Sequence, residues 1–126
     1  MGIKPIIAPF EEFLDMKVLE RKEGKSKVRL DYRKEFENPN NFMHGGVITS
    51  LSDTAMAVAL SSIYRNSNFS TVKLEIEFKK HVNKETIIAY GRVIKKRKNF
   101  SFCDAIVKNK DDKIVAIANG TFFLHK

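Results

Sequence analysis

Residues 38 to 65 read Asn-Pro-Asn-Asn-Phe-Met-His-Gly-Gly-Val-Ile-Thr-Ser-Leu-Ser-Asp-Thr-Ala-Met-Ala-Val-Ala-Leu-Ser-Ser-Ile-Tyr-Arg, and this stretch decides the fold. Between Val47 and Ile63 it contains no Pro, no Gly and one charged residue, Asp53. Its apolar residues recur at steps of three and four, which is the period of an α-helix. The pattern predicts a helix of about 20 residues, or about 30 Å. Because this helix is apolar on most sides, the rest of the chain is expected to wrap around it.

Asp53 is the residue that the apolar pattern does not explain. Aspartate is unfavourable inside helices, and it is rare in protein cores unless it is paired or used in chemistry. It lies either on the solvated side of the helix, one turn after Thr49 and Ser50, or in a functional site. Gly45 and Gly46 favour the second interpretation, because they let a ligand approach the free N–H donors of a helix start.

The remaining segments show strand patterns separated by turn residues. A short helix is predicted over residues 9–16, where Phe10, Phe13 and Leu14 either dock the helix or cover a substrate pocket. Two strands around Gly24 form a predicted hairpin, and four longer strands follow the central helix. The six predicted strands span residues 17–23, 26–33, 70–80, 86–96, 100–108 and 114–124.

The four later strands are predicted to form a meander. In the first of them Val72, Leu74, Ile76 and Phe78 alternate with polar residues, so these four side chains are expected to face the core. Gly91 in the second predicts a bulge or a close approach of another chain segment. The whole pattern indicates one α+β domain over residues 1–126, with an antiparallel sheet curled around the helix.

Composition narrows the possible classes of protein. A hydrophobic content of 43% and a charged content of 30% are ordinary for a globular protein, and no apolar run is long enough to cross a membrane. The single cysteine, Cys103, cannot form an internal disulfide and is expected in the core, so a reducing cytoplasm is the default location. The net charge of +8 would suit nucleic acid or a phosphorylated small molecule. No zinc-ligand spacing or nucleic-acid module is recognisable, so a solvated surface explains most of the excess.

The central stretch also carries a motif of fixed spacing. Asn38 is followed after six residues by His44-Gly45-Gly46 and then by Leu51, Asp53 and Ala55. This motif resembles that of the hotdog-fold acyl-CoA thioesterases of the phenylacetic-acid-degradation (PaaI) type. The resemblance implies a hotdog fold, in which a curved antiparallel sheet wraps a long helix. It also implies hydrolysis of acyl-CoA to a free acid and coenzyme A without a metal or redox cofactor.

The resemblance implies roles for five residues. The Gly45 N–H would bind the thioester oxygen, and Asp53 of a second subunit would act as general base or as nucleophile. Asn38 would position water or the carbonyl, although it is equally a turn residue before Pro39. His44 would orient the thioester or cap the helix. Thr71 lies where this group places a Ser or Thr that holds water, although any strand can begin with Thr.

The positions of His44 and Asp53 give an argument that does not depend on the resemblance. Nine helical residues separate them by about 13 Å along the axis and place them on opposite sides. They therefore cannot meet around one small group within one chain, and a shared site must be built from two chains. The family forms dimers by extending the sheet and often pairs them into tetramers, so a homodimer or homotetramer is expected here.

The densest basic run is Lys95, Lys96, Arg97 and Lys98, at the end of a predicted hairpin. It is either a solvated turn, the more economical interpretation, or a clamp for the phosphates of coenzyme A. Residues 81–85 lack the Pro-small-Gly turn that is usual in the family, so coenzyme contacts there are not expected from the resemblance. Two other functions remain open: a non-hydrolytic acyl-CoA binder and, on charge alone, a nucleic-acid-binding protein. The sequence does not specify the acyl group.

Overall fold

The computed structural model describes residues 7 to 125. Within them, in chain order, lie α1 (Pro9–Phe13), β1 (Lys17–Lys22), β2 (Lys25–Leu30), a 3₁₀ turn (Lys34–Phe36), α2 (Gly45–Ser61), β3 (Asn68–Phe78), β4 (Ile87–Arg97), β5 (Phe100–Lys108) and β6 (Ile114–His125).

The six strands form one antiparallel sheet in the order β1-β2-β4-β5-β6-β3. Helix α2 packs across one face of this sheet and contacts every strand, most extensively β4, β2 and β5. Its apolar side is completely buried: Leu51, Ala55 and Met56 have no exposed surface. The predicted α+β architecture, a curved sheet around a long helix, is confirmed.

The predicted meander of four strands is wrong. Only β4, β5 and β6 follow one another across the sheet, whereas β3 crosses to the far edge and pairs with β6 from Asn68↔His125 to Phe78↔Ala116. The reason is that alternation specifies which side of a strand is buried and says nothing about its neighbour. The crossover places β3 at an edge of the sheet formed by residues 7–125.

The helices begin and end at local signals. Helix α2 has 17 residues and starts at Gly45, two residues before the apolar pattern, because His44 caps it. Helix α1 ends at Phe13 rather than at residue 16, since Asp15 adopts a left-handed conformation with φ 60° that a helix cannot continue. None of the helices within residues 7–125 has the length and apolar character to span a membrane.

Two predictions about the sheet interior are confirmed. Gly91 marks a close approach, because a Cβ there would lie 2.4 Å from the backbone oxygen of Ala55 in α2. The Ser26 hydroxyl donates to the same oxygen at 2.6 Å, which fixes β2 and β4 against the helix. Cys103 is buried in the core, and burial raises the pKa of its thiol to about 12, so it is not a reactive thiolate.

The prediction that Val72 faces the core is wrong, because its side chain is 56% exposed. The pairing of β3 with β6 skips from Thr71 to Lys73, so Val72 is the extra residue of a bulge and the alternation is reset. Leu74 and Ile76 keep the predicted inward orientation and pack against the core. The consequence of the bulge is that Thr71, on the other side of it, faces α2.

Candidate active site

The start of α2 leaves one backbone donor free. The His44 Nδ1 atom accepts a hydrogen bond from the Gly46 N–H at 2.8 Å, and its carbonyl accepts from the N–H groups of Val47 and Ile48. The Gly45 N–H is the one amide of the first turn that bonds to no acceptor among residues 7–125. A free N–H at the positive end of a 17-residue helix is suited to bind an oxygen that develops negative charge.

A pocket of about 360 Å³ opens at this end of the helix. The ring of Phe78 lies over Gly45, where a Cβ would come within 3.2 Å of the ring. A side chain at this position would therefore force the Phe78 ring to shift by a few tenths of an ångström. The pocket is lined by Asn38, Met43, Gly45, Ile48, Phe78, Lys79, Lys80, His81 and Val82.

Asn38 lies in the wall of this pocket and organises the loop before α2. Its Oδ1 atom accepts hydrogen bonds from the N–H groups of Asn40 (2.9 Å) and Phe42 (3.1 Å). The side-chain oxygen therefore serves the turn, which is the structural role that the sequence allowed. His44 likewise acts as a helix cap. Asn38, His44 and Gly45 thus form one cluster at the amino end of α2, which we call the helix-start cluster.

Asp53 lies farther along the helix, in a different environment. The Thr71 hydroxyl donates to its Oδ1 atom at 2.8 Å, across the bulge of β3. Burial raises the pKa of the half-buried Asp53 carboxyl above its ordinary value, the hydrogen bond from Thr71 lowers it, and the charge of Glu11 raises it again. The result is a partly desolvated carboxylate with one hydroxyl donor, which is the environment of a general base or nucleophile. We call Asp53 and Thr71 the carboxylate cluster.

One chain does not bring the two clusters together. Gly45 contacts Phe78 at one end of β3, whereas Asp53 contacts Thr71 near the other. Seven residues separate Thr71 from Phe78, which corresponds to roughly 20 Å along a strand. A reacting group of a few ångströms cannot touch both clusters of the same chain.

The basic run lies at the carboxylate-cluster end of the sheet. Arg97 pairs with Phe100, Phe100 with Phe123, and Phe123 with Ser70, which precedes Thr71. Lys96 lies over the ring of Tyr64, with its Nζ atom 5.7 Å from the ring centroid. Lys98 adopts φ 57° in the turn. Within one chain the run is therefore remote from the Gly45 pocket.

Sequence reasoning missed two contacts of these clusters. Phe78 was predicted to face the core, yet it is 49% exposed over Gly45, and no pattern in the strand distinguishes it from the partly buried Leu74 and Ile76. Glu11 lies in the first turn of α1, and its Oε2 atom accepts a hydrogen bond from the Thr54 hydroxyl at 3.1 Å. Because 43 residues separate Glu11 from Thr54, no local pattern could reveal that contact.

Comparison with known proteins supports the resemblance drawn from the motif. The sequence model of the thioesterase superfamily matches residues 40–116, which include Gly45, Asp53 and Thr71. A protein of Archaeoglobus fulgidus named "Putative esterase" is 33% identical over 113 residues, covering 89% of this chain and 72% of that protein.

Solved structures agree in fold. A conserved protein of Pseudomonas aeruginosa superposes with a TM-score of 0.91 at 26% identity, covering 95% of this chain and 96% of the other. The PaaI protein of E. coli, from the phenylacetic acid degradation operon, superposes with a TM-score of 0.88 at 23% identity, covering 94% and 86%. The chain belongs to the thioesterase superfamily and has its hotdog fold.

Proposed function

We propose that the protein hydrolyses acyl-CoA thioesters to a free acid and coenzyme A. The observation that carries the proposal is the pairing of two unusual groups on one apolar helix. One is the free Gly45 N–H at its start, and the other is the half-buried Asp53 with its raised pKa. Membership of the thioesterase superfamily supports thioester hydrolysis as the reaction class.

The two groups divide the chemistry of hydrolysis between them. The thioester carbonyl oxygen accepts from the Gly45 N–H, and the helix dipole stabilises the charge that develops on this oxygen in the tetrahedral transition state. Asp53 either takes a proton from the water that attacks the carbonyl, or attacks the carbonyl itself to form a mixed anhydride that water then hydrolyses. On either route the C–S bond breaks and coenzyme A leaves as a thiolate that takes up a proton. In both cases the desolvation of Asp53 makes its carboxylate more reactive than one in water. The Thr71 hydroxyl holds the carboxylate by its 2.8 Å hydrogen bond and lies where it can also contact the water.

The roles of Asn38 and His44 follow from their hydrogen bonds. Asn38 fixes the loop that forms one wall of the Gly45 pocket, so it positions the thioester through that wall. His44 occupies the Gly46 N–H, which leaves the Gly45 N–H as the donor for the substrate. Both residues act through the shape of the helix start, and neither needs to exchange a proton with the substrate.

The site is completed by a second copy of the chain. In the sheet of residues 7–125, β3 has β6 on one side and no strand on the other. Antiparallel pairing of this edge with its own copy brings the Thr71 end of one strand beside the Phe78 end of the other. The carboxylate cluster of one protomer then meets the helix-start cluster of its partner. The homodimer, and its further pairing into a tetramer, are part of the proposal.

The same pairing gives the basic run a function. In one chain residues 95–98 are remote from the Gly45 pocket, but they lie at the carboxylate-cluster end of the sheet. Across a two-fold axis that end faces the partner's pocket, so Lys95, Lys96, Arg97 and Lys98 can bind the phosphates of a coenzyme whose thioester lies there.

The acyl group is to be found by a substrate screen. The E. coli protein of similar fold comes from a phenylacetic acid degradation operon, so the screen includes aryl-acetyl thioesters together with short, medium and long acyl-CoA esters.

The replacement Asp53→Asn tests the proposal. Asparagine keeps the acceptor for the Thr71 hydroxyl and removes the basic oxygen, so the fold is retained and turnover falls by roughly 10²–10⁴-fold. The measurement is kcat with the best acyl-CoA of the screen, together with a circular dichroism spectrum. Asp111→Asn makes the same change in the exposed β5–β6 turn and should leave kcat unaltered. Full turnover in Asp53→Asn would refute the proposed mechanism.

A further inference from the structure

Glu11 is fixed beside the carboxylate cluster by two hydrogen bonds. The N–H of Ala8 donates to its Oε1 atom at 3.2 Å, and the Thr54 hydroxyl donates to its Oε2 atom at 3.1 Å. Thr54 is buried, with 6% of its surface exposed, and it directly follows Asp53 in α2. The carboxylate of Glu11 is therefore held against the helix next to Asp53, unlike that of a freely rotating surface glutamate.

Within one chain the charges around Asp53 come from few sources. In the proposed dimer the lysines and the histidine that line the partner's Gly45 pocket also face Asp53, and they are the same in every variant compared below. Helix α2 carries no other titratable residue between Gly45 and Ser61, and β3 presents the neutral Thr71 hydroxyl. Lys73, the next charged residue of β3, is exposed beyond the bulge, and Glu12 of α1 is also exposed. Among residues 7–125, Glu11 is the one charged group whose field contributes to the pKa of Asp53, and it raises that pKa.

We propose that Glu11 is a positioning residue that makes the Asp53 carboxylate a stronger base. The inference rests on the proposed function, since it assigns Asp53 the role of base or nucleophile. The physical reason is that a fixed negative charge nearby opposes the ionisation of Asp53, and a base that holds its proton more tightly also accepts one more readily from water. Helix α1 thereby acts as an electrostatic part of the site.

The replacement Glu11→Gln separates this role from simple docking of α1. Glutamine keeps an acceptor for the Thr54 hydroxyl and removes the charge. If Asp53 is the base, kcat/KM of wild type should rise with pH along an acidic limb, because Asp53 must lose its proton to act. Without the neighbouring charge the pKa of Asp53 falls, so the limb of Glu11→Gln moves to lower pH by about half a unit. The plateau above it decreases by about twofold, because the base is weaker.

The chain offers a matched control in Glu12, the next residue of α1. Glu12→Gln removes the same charge from the same five-residue helix, but Glu12 does not contribute to the pKa of Asp53. The acidic limb of the kcat/KM profile of Glu12→Gln should coincide with that of wild type. If Glu11→Gln does not fold, Thr54→Val releases the Glu11 carboxylate without removing it, and a smaller shift in the same direction is expected.

Carboxyl ¹³C NMR of Asp53 measures the same effect without any substrate. The midpoint of its titration should fall in Glu11→Gln and stay unchanged in Glu12→Gln. An unchanged midpoint and an unchanged limb in Glu11→Gln would overturn the inference, even if wild type is an active thioesterase. An inactive wild type, or a fully active Asp53→Asn, would instead refute the proposed function, and the NMR titration would still decide the role of Glu11.

Discussion

At the scale of single residues, Asp53 has the features of a group retained for chemistry at the expense of stability. Its pKa is raised by burial, which means that the folded protein disfavours the ionised form, and a single hydrogen bond from Thr71 compensates only in part. A residue selected only for stability at this position would be neutral. Sites of this kind are where function and stability oppose each other.

Asp53→Asn should accordingly stabilise the protein at neutral pH while it lowers turnover. The folded pKa of Asp53 lies above its unfolded value of 3.8, so the native state binds more protons between the two values and wild type loses stability as pH rises through that window. Well below pH 3.8 both states are protonated, and the two proteins should melt alike. Above the folded pKa the variant should melt higher, by roughly 1–4 °C. Differential scanning calorimetry from pH 3 to pH 8 measures this difference.

Asp15 provides a control of opposite sign. The hydrogen bond and charge of Lys17, 2.9 Å away, lower the pKa of Asp15, so its ionised form contributes stability that is lost as pH falls. Asp15→Asn should melt no higher than wild type at neutral pH. A decrease of the melting temperature in Asp53→Asn at pH 7 would show that its carboxylate is not strained by burial.

The motif includes most residues of the two candidate clusters, but the hydrogen bonds that these residues make needed the structure. Gly45 and Asp53 were identifiable because a glycine pair opens the apolar helix and a lone charge interrupts it. For Asn38 and His44 the sequence left two roles each. In the structure the Asn38 side chain accepts hydrogen bonds from backbone N–H groups of its own loop, and the His44 side chain accepts one from a backbone N–H of the helix start. Glu11 was not identifiable as a neighbour of Asp53, because that contact depends on tertiary packing alone.

At the scale of elements, β3 shows what a strand pattern can and cannot predict. Its existence was predicted correctly and its bounds to within two residues, because ten or more alternating residues give a strong signal. Its neighbour and its bulge were not predicted. Strand order depends on loop paths and on which edges are available, and a bulge at Val72 leaves no trace in an alternation that looks regular. The strand order and the bulge are the two features that place Thr71 against Asp53 at a sheet edge.

The prediction at this scale concerns the β4–β5 hairpin, whose basic run is proposed to bind the coenzyme phosphates. Changing Lys95, Lys96 and Lys98 together to Gln should raise KM for acyl-CoA by about tenfold and weaken its salt dependence, since charge-assisted contacts to phosphate are lost. A truncated thioester that lacks the nucleotide should be hydrolysed as before. Steady-state kinetics with both substrates at several salt concentrations measures the difference.

A triple replacement on β1 and β2, which lie on the side of β4 away from β3, controls for net charge. Lys22, Lys25 and Lys27 lie on β1 and β2, far from β3 in the strand order, and their change to Gln removes the same charge. This variant should behave as wild type with both substrates. Equal losses for acyl-CoA and the truncated thioester in the hairpin variant would indicate a structural role instead, such as the packing of Lys96 on Tyr64.

At the scale of the whole molecule, the separation of the two clusters determines the assembly that the chemistry needs. Gly45 and Asp53 lie about 12 Å apart along α2, and their contacts on β3 are still farther apart. In a chain acting alone, the Gly45 N–H would have no carboxylate near it, and Asp53 would have no free backbone N–H near it. In the proposed dimer, self-pairing of the β3 edge would place the Asp53 of each chain beside the Gly45 N–H of its partner, so the two-fold axis would create two complete sites.

A mixing experiment tests this arrangement. Asp53→Asn lacks the base, and Asn38→Ala disrupts the loop and wall of the Gly45 pocket, so each pure protein should be nearly inactive. After equal amounts exchange subunits at random, about half of the dimers contain one chain of each kind. Each mixed dimer has one site with both residues intact and one site that lacks both. Activity should therefore return to about a quarter of the wild-type value.

The reciprocal mixture distinguishes true complementation from any activating effect of mixing. When the double variant Asn38→Ala/Asp53→Asn exchanges with an equal amount of wild type, every mixed dimer has two defective sites, so activity should fall from about a half to about a quarter of the wild-type value. A site within one chain would leave this mixture at about a half and the first mixture without activity. Native mass spectrometry shows whether exchange has occurred. If it has and both mixtures keep their initial activities, catalysis must be assigned to residues that lie together on one chain.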